Sequence, residues 1–116
     1  ALGTPGQQNS SYDALSNDID EIIPSVFALH QNYPNPFNPT TSIEYDLPND
    51  SYTVVTVFDV MGKHVKTLVD KNQSAGFKTI RWDAKNDEGE SVAAGMYIYQ
   101  IKSGVNIASK KMILLR

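Results

Sequence analysis

The sequence predicts an all-β fold, an antiparallel β-sandwich of about seven strands. Several short runs alternate apolar and polar residues with a period of two, and Gly, Pro, Asn and Asp separate them. No stretch carries a long helical pattern. The run from Thr53 to Phe58 is apolar or β-branched on both faces. A single sheet would leave one of those faces in water, so a second layer is required.

The strands follow in order. Ile43, Tyr45 and Leu47 alternate with Ser42, Glu44 and Asp46, a half-buried strand that Pro48 and Asn49 close. Thr53, Val55 and Val57 then face one way and Val54, Thr56 and Phe58 the other, as in a central strand. Gly62 marks a turn into the shorter run HVKTLV. FKTIRWD places Lys78, Ile80 and Trp82 on one face, with the lysine stem along apolar neighbours. A polar bend from Asp83 to Glu90 follows, where Gly89 is free to take a positive φ. MYIYQIKS sets Tyr97, Tyr99 and Ile101 in register, and after the Gly104 turn the chain finishes in KKMILLR. These are six strands, with a seventh expected near Phe27.

Residues 1–28 read as a linker, in which Gly3, Pro5, Gly6, Gln7, Gln8, Asn9 and Ser10 bury too little to offset the entropy of ordering. Ser16 or Asn17 would cap a short helical turn ended by Pro24. Ile22, Ile23, Val26, Phe27 and Leu29 are expected to dock on the domain at 29–116, partly as an edge strand. QNYPNPFNPTT leads into the first clear strand. Its prolines fix φ and bias Tyr33, Asn35 and Asn38 towards extended backbone, and its asparagines are suited to bonding nearby main chain. The segment reads either as a rigid entry strap with Tyr33 and Phe37 sealing one end of the sandwich, or as a ligand surface.

Ten basic residues against 13 acidic ones give a net charge of -3, which makes no electrostatic case for nucleic acid. With no cysteine there is neither disulfide nor thiolate metal site. No basic leader or long apolar run occurs, so no spanning helix is expected. His30 and His64 stand apart, and no HExxH, GxSxG or phosphate-binding glycine loop is present. The chain is therefore expected to be noncatalytic and to need no cofactor, with His64 turned to solvent. Asp83, Asn86, Asp87 and Glu88, with Glu90, form either a plain acidic turn or a set of hard oxygen ligands for calcium. Lys85 sits where an EF-hand would place an oxygen. Asp59 reads as a turn-capping carboxylate. Trp82, Tyr97 and Tyr99 are either core residues with a hydrogen-bonded polar tip or a sugar-stacking platform. Lys102, Lys110, Lys111 and Arg116 make a basic drift, either a lysine-protected edge or a docking patch.

Five blocks together resemble the type A C-terminal sorting domain of the bacterial type IX secretion system. They are LHQNYPNPFNPTTSIEYDLP, VFDVMGKHVKTLV, AGFKTIRWDAKNDEG, AAGMYIYQIKSG and KKMILLR, covering residues 29–116 in family order. The resemblance assigns Asn32, Pro34, Asn35, Pro36, Phe37, Asn38 and Pro39 to the first signature, and Asp59 and Gly62 to a strand-turn signature. Trp82, Asp83 and Gly89 match the central block, Gly95 and Tyr97 the penultimate one, and Lys111 the terminal one. It implies an immunoglobulin-like sandwich that outer-membrane secretion machinery recognises, directing an attached upstream cargo through the periplasm to the medium or cell surface. Contact with that machinery is expected at Lys110, Lys111 and Arg116, since charged groups orient protein encounters. The family also resembles the immunoglobulin-like part of the flagellar hook-capping protein. A structural assembly module of that type, or an accessory carbohydrate-binding module, is the alternative function.

Overall fold

Alternation becomes pairing across residues 22–116, the part of the chain that the computed structural model describes. Seven strands form among them: β1 (Ala28–Leu29), β2 (Thr41–Leu47), β3 (Ser51–Asp59), β4 (His64–Gln73), β5 (Gly76–Trp82), β6 (Gly95–Ser103) and β7 (Asn106–Leu114). A three-stranded sheet has the order β1-β2-β5 and a four-stranded sheet the order β4-β3-β6-β7, with every pairing between strands antiparallel. The architecture is the expected β-sandwich. No helix among the described residues is long and apolar enough to cross a membrane.

The core lies where the two alternations meet. From the small sheet come Ile43, Tyr45, Leu47 and Trp82; from the large one Val55, Val57, Tyr99, Ile101, Met112 and Leu114, all buried. Val55 stands opposite Ile101 and Val57 opposite Tyr99, so β3 and β6 present one continuous inner face. Thr53 and Ser103 are also buried on that face, with their hydroxyl oxygens 3.0 Å apart. This pairing spares each the cost of an unmatched polar group.

Strand ends depart from expectation in two places. β4 continues through the polar residues Asp70 to Gln73 because Ser51–Val54 of β3 supply partners. β7 begins at Asn106, four residues before the predicted start, because Ser103 opposes Asn106 across a tight turn. The expected strand near Phe27 is β1, with Ala28 opposite Asp46 and Leu29 opposite Tyr45. Phe27 and Leu29 dock, but Ile22, Ile23 and Val26 are exposed, contrary to expectation. Along an extended chain only alternate residues point inwards, and Val26 is out of phase with Phe27 and Leu29; Ile22 and Ile23 precede the pairing altogether. The anticipated helical turn near Ser16 and most of the linker lie outside the described residues.

Ile43 is fully buried at the sheet interface, whereas Ile107 stays exposed on β7. Ile43→Ala is expected to lower unfolding free energy by about 3 kcal/mol. Ile107→Ala should change it by less than about 0.5 kcal/mol. Urea denaturation of both variants measures the contrast.

Candidate recognition surface around the terminal strand

The proline-rich strap is a splint between the two sheets. Tyr33 and Ser42 exchange backbone hydrogen bonds at 2.9 Å, which ties the strap to β2. Four residues on, the Phe37 amide donates to the Ile113 carbonyl (2.9 Å) and the Leu115 amide donates to the Phe37 carbonyl (2.8 Å). Phe37 thus pairs in parallel with Leu114 on the outer edge of β7. The Ile113 amide donates to Asn35 Oδ1 at 3.0 Å, and Gln31 Nε2 to the Lys111 carbonyl at 2.7 Å. Edge groups that would otherwise lack partners are satisfied by a segment that is not itself a strand. The three X-Pro bonds after Tyr33, Asn35 and Asn38 are cis.

Asn32 anchors the strap from within. Its amide donates to the Tyr99 hydroxyl (2.8 Å), and that hydroxyl donates to the His30 carbonyl (2.6 Å). Asn32 Nδ2 donates to Thr41 Oγ1 (2.9 Å) and to the Pro34 carbonyl (3.2 Å), while its Oδ1 accepts from Gln31 (2.7 Å). Both Asn32 and Thr41 are buried, so this network is what makes their burial tolerable. Burial pushes the Tyr99 phenol up to about 12, partly offset by the Asn32 amide. Burial also raises Tyr45, whose hydroxyl donates to Gln73, and Tyr97, which lies near Asp59.

Residues of the separate sequence blocks converge here. Phe37 packs on Trp82 with ring centroids 5.8 Å apart, and Trp82 meets Tyr97 edge-on at 5.4 Å. Trp82 Nε1 donates to the Lys85 carbonyl and the Tyr97 hydroxyl to Ala93, which holds the following loops against the aromatic cluster. Trp82, Tyr97 and Tyr99 are core residues and offer no sugar platform. Phe37 seals as expected, but Tyr33 is 81% exposed. Its bridge to Ser42 fixes the backbone with the ring turned outwards, correcting the expectation of two sealing aromatics. Pro34, Pro36, Asn38 and Pro39 lie on the surface of the strap.

The acidic turn is occupied with structural work. Asn86 Oδ1 accepts the amides of Glu88 and Glu90, and Gly89 takes φ of 83° to close the reversal. The Asp87 amide donates to Val65, its Oδ1 accepts the Thr67 amide, and its Oδ2 lies 2.6 Å from His64 Nε2. The His64 bond and then the Thr67 amide hold the Asp87 carboxyl below its ordinary range. His64 faces solvent as expected and is also paired, with about half of its side chain exposed. Thr67 Oγ1 approaches the same Nε2 at 3.4 Å, whereas a triad needs carboxylate and hydroxyl on opposite ring nitrogens. Asp83 is exposed and apart from Asp87, and among the described residues no three His, Cys, Asp or Glu side chains converge on one point. Asp59 caps its turn as read, accepting the Met61 and Lys63 amides, and Gly62 takes φ of 83° there. An open groove of about 480 Å³ separates these two loops, lined by Asp59, Lys63, His64, Asp87 and Tyr97.

Of the predicted contact residues, Lys111 is exposed and Lys110 half-buried, while the Arg116 guanidinium donates to Val92 at 3.1 and 2.7 Å. Lys111 shares its outer face with exposed Ile107, Ile113 and Met96, the last two directly opposite each other. Gly95, with φ of 146°, leads into this face. Reading the sequence missed Ile113, Met96 and Thr41, whose roles depend on neighbours distant in the chain.

This geometry defines an immunoglobulin-like sandwich whose distinctive residues close its last strand. A family model described as the FlgD Ig-like domain matches residues 37–105, and the chain belongs to that family. No curated protein sequence matches it. Among solved structures it is similar to dimeric latent PorU from Porphyromonas gingivalis, with 21% identity and a TM-score of 0.60 over 81% of this chain and 10% of that one. PorZ of the same organism, an essential bacterial surface component of the type-IX secretion system, gives 19% identity and a TM-score of 0.52 over 78% of this chain and 11% of that one. FlgD from P. aeruginosa gives 24% and 0.52 over 64% of this chain and 57% of that one. At these identities the likeness is one of fold, and the chain spans about a tenth of PorU and PorZ.

Two predictions test the splint. Asn35→Ala should cost about 1 kcal/mol and speed hydrogen exchange at the Ile113 amide while leaving Ile101 protected. Tyr99 has a higher pKa folded than unfolded, so its contribution is intact below pH 10 and is lost as pH rises towards about 12. Alkaline titration of unfolding free energy should show this loss, and Tyr99→Phe should lessen it.

Proposed function

We propose that the chain is a noncatalytic sorting module that directs an attached exported protein across the outer membrane, to the medium or cell surface. The observation that carries this reading is the terminal strand. The residues that resemble the sorting-domain signatures brace β7, and its outer face presents Lys111 and Ile113. A signal read at this strand has to be held in one register, and the splint supplies that. The fold likeness to PorU and PorZ supports the same system. The partner is then the outer-membrane secretion machinery, engaging the apolar and cationic face of Met96, Lys111 and Ile113.

A second reading, a structural module of the hook-capping type, is favoured by the family match over residues 37–105 and by the FlgD structures. It would place the chain at the flagellum.

A fluorescent protein exported to the periplasm and fused to the 116-residue chain separates the two in a bacterium with an active type IX system. Fluorescence should reach the surface or medium. It should fall about tenfold with Lys111→Glu plus Ile113→Asp, outward-facing changes that leave the core intact. Retention of the folded wild-type fusion in the periplasm would end the sorting reading and favour the hook-capping one.

A further inference from the structure

We infer that β5 is a homotypic interface, through which two copies of this chain join their three-stranded sheets edge to edge. The inference rests on the fold alone and is independent of the sorting proposal.

The other strand edges are managed. The strap covers β7 from Lys111 onwards, and Asp87 covers β4 at Val65 and Thr67. Below these covers β4 carries Asp70 and Lys71, β7 carries Lys110, and β1 is two residues long. Charges and shortness are the usual protections of an edge. β5 also carries Lys78 and Arg81, but it is neither short nor covered. It runs for seven residues, and none of the hydrogen bonds among the described residues reaches its outer side.

Alternation decides which groups lie on that side. Ser42 and Glu44 direct their backbone bonds towards Tyr33 and His30. Thr41, Ile43 and Tyr45 therefore serve β5, opposite Trp82, Ile80 and Lys78. Phe77, Thr79 and Arg81 are left with amides and carbonyls aimed outwards. Their side chains are exposed as well, Phe77 at 63%.

This edge is complementary to itself. In an antiparallel pair related by a two-fold axis at Thr79, Phe77 of each copy stands opposite Arg81 of the other, and Thr79 opposite Thr79. A guanidinium then meets an aromatic face twice, and two β-branched residues meet at the centre. The two arginines lie about 13 Å apart, four strand residues, so they do not oppose one another. On the inner face the aliphatic stem of Lys78 lies beside Ile80 of the second copy. Pairing doubles a sheet of three strands to six, within the common range.

Sedimentation equilibrium of the 116-residue chain should show a monomer–dimer equilibrium. Thr79→Pro removes an amide that serves only the outer edge, and should weaken the dimer about tenfold or more. Phe77→Lys places like charges opposite at both ends and should weaken it comparably; adding Arg81→Glu should restore it through Lys–Glu pairs. A chain monomeric up to about 1 mM overturns the inference. So does a dimer indifferent to Thr79→Pro and Phe77→Lys, or one that the second substitution fails to restore while the fold is intact.

Discussion

The pairing of Phe37 with Ile113 and Leu115 is the constraint on which the rest of the sandwich depends. Two sheets stacked face to face share a core, but nothing in the stacking fixes how their edges are joined. Here the same short segment bonds β2 at Tyr33 and β7 at Phe37, so the sheets are tied by main chain as well as by side-chain burial. Phe37 and Asn32 turn into the core from this crossing, and both are buried. The individual bonds contribute about 1 kcal/mol each, and an unpaired edge beneath buried residues would cost more. Prolines suit such a segment, since several of its positions need no amide.

The opposite side of the large sheet is treated by similar means. Asp87 donates its amide to Val65 and accepts the Thr67 amide through its carboxylate, so one residue performs both halves of a strand's pairing. His64 completes the arrangement from the neighbouring turn. Within the acidic turn Asp87 is engaged by these bonds, and the Asn86 carboxamide organises the reversal. Side chains of one loop thus stand in for a strand on one flank, as the strap does on the other.

The layered architecture was legible because burial imposes alternation, and Ile43, Tyr45 and Leu47 or Tyr97, Tyr99 and Ile101 show it without interruption. The same reading assigned Asp59 to its turn and left Trp82 between core and surface, a choice that only its burial decides. It failed where pairing overrides composition: Asp70 to Gln73 and Asn106 to Ser109 look like loop, yet they are held by β3 and β6. It also failed on orientation. Tyr33 and Phe37 are both aromatic and both follow the same kind of context, but only the latter is aimed inwards by its bridge to Leu114. The meeting of Asn35 with Ile113, 78 positions apart, leaves no local trace in either segment.

That separation has a temporal meaning. A chain synthesised or threaded from its first residue presents Phe37 and Tyr97 long before Ile113 arrives to cover the cluster they belong to. Until β7 is in place, the strap has nothing to bridge to, and β6 remains an open edge. Closure therefore waits for β7, and a module with its splint formed is one in which every strand of the two sheets is in place. Any partner that distinguishes the braced strand from a loose one reads completion of the sandwich as well as its sequence.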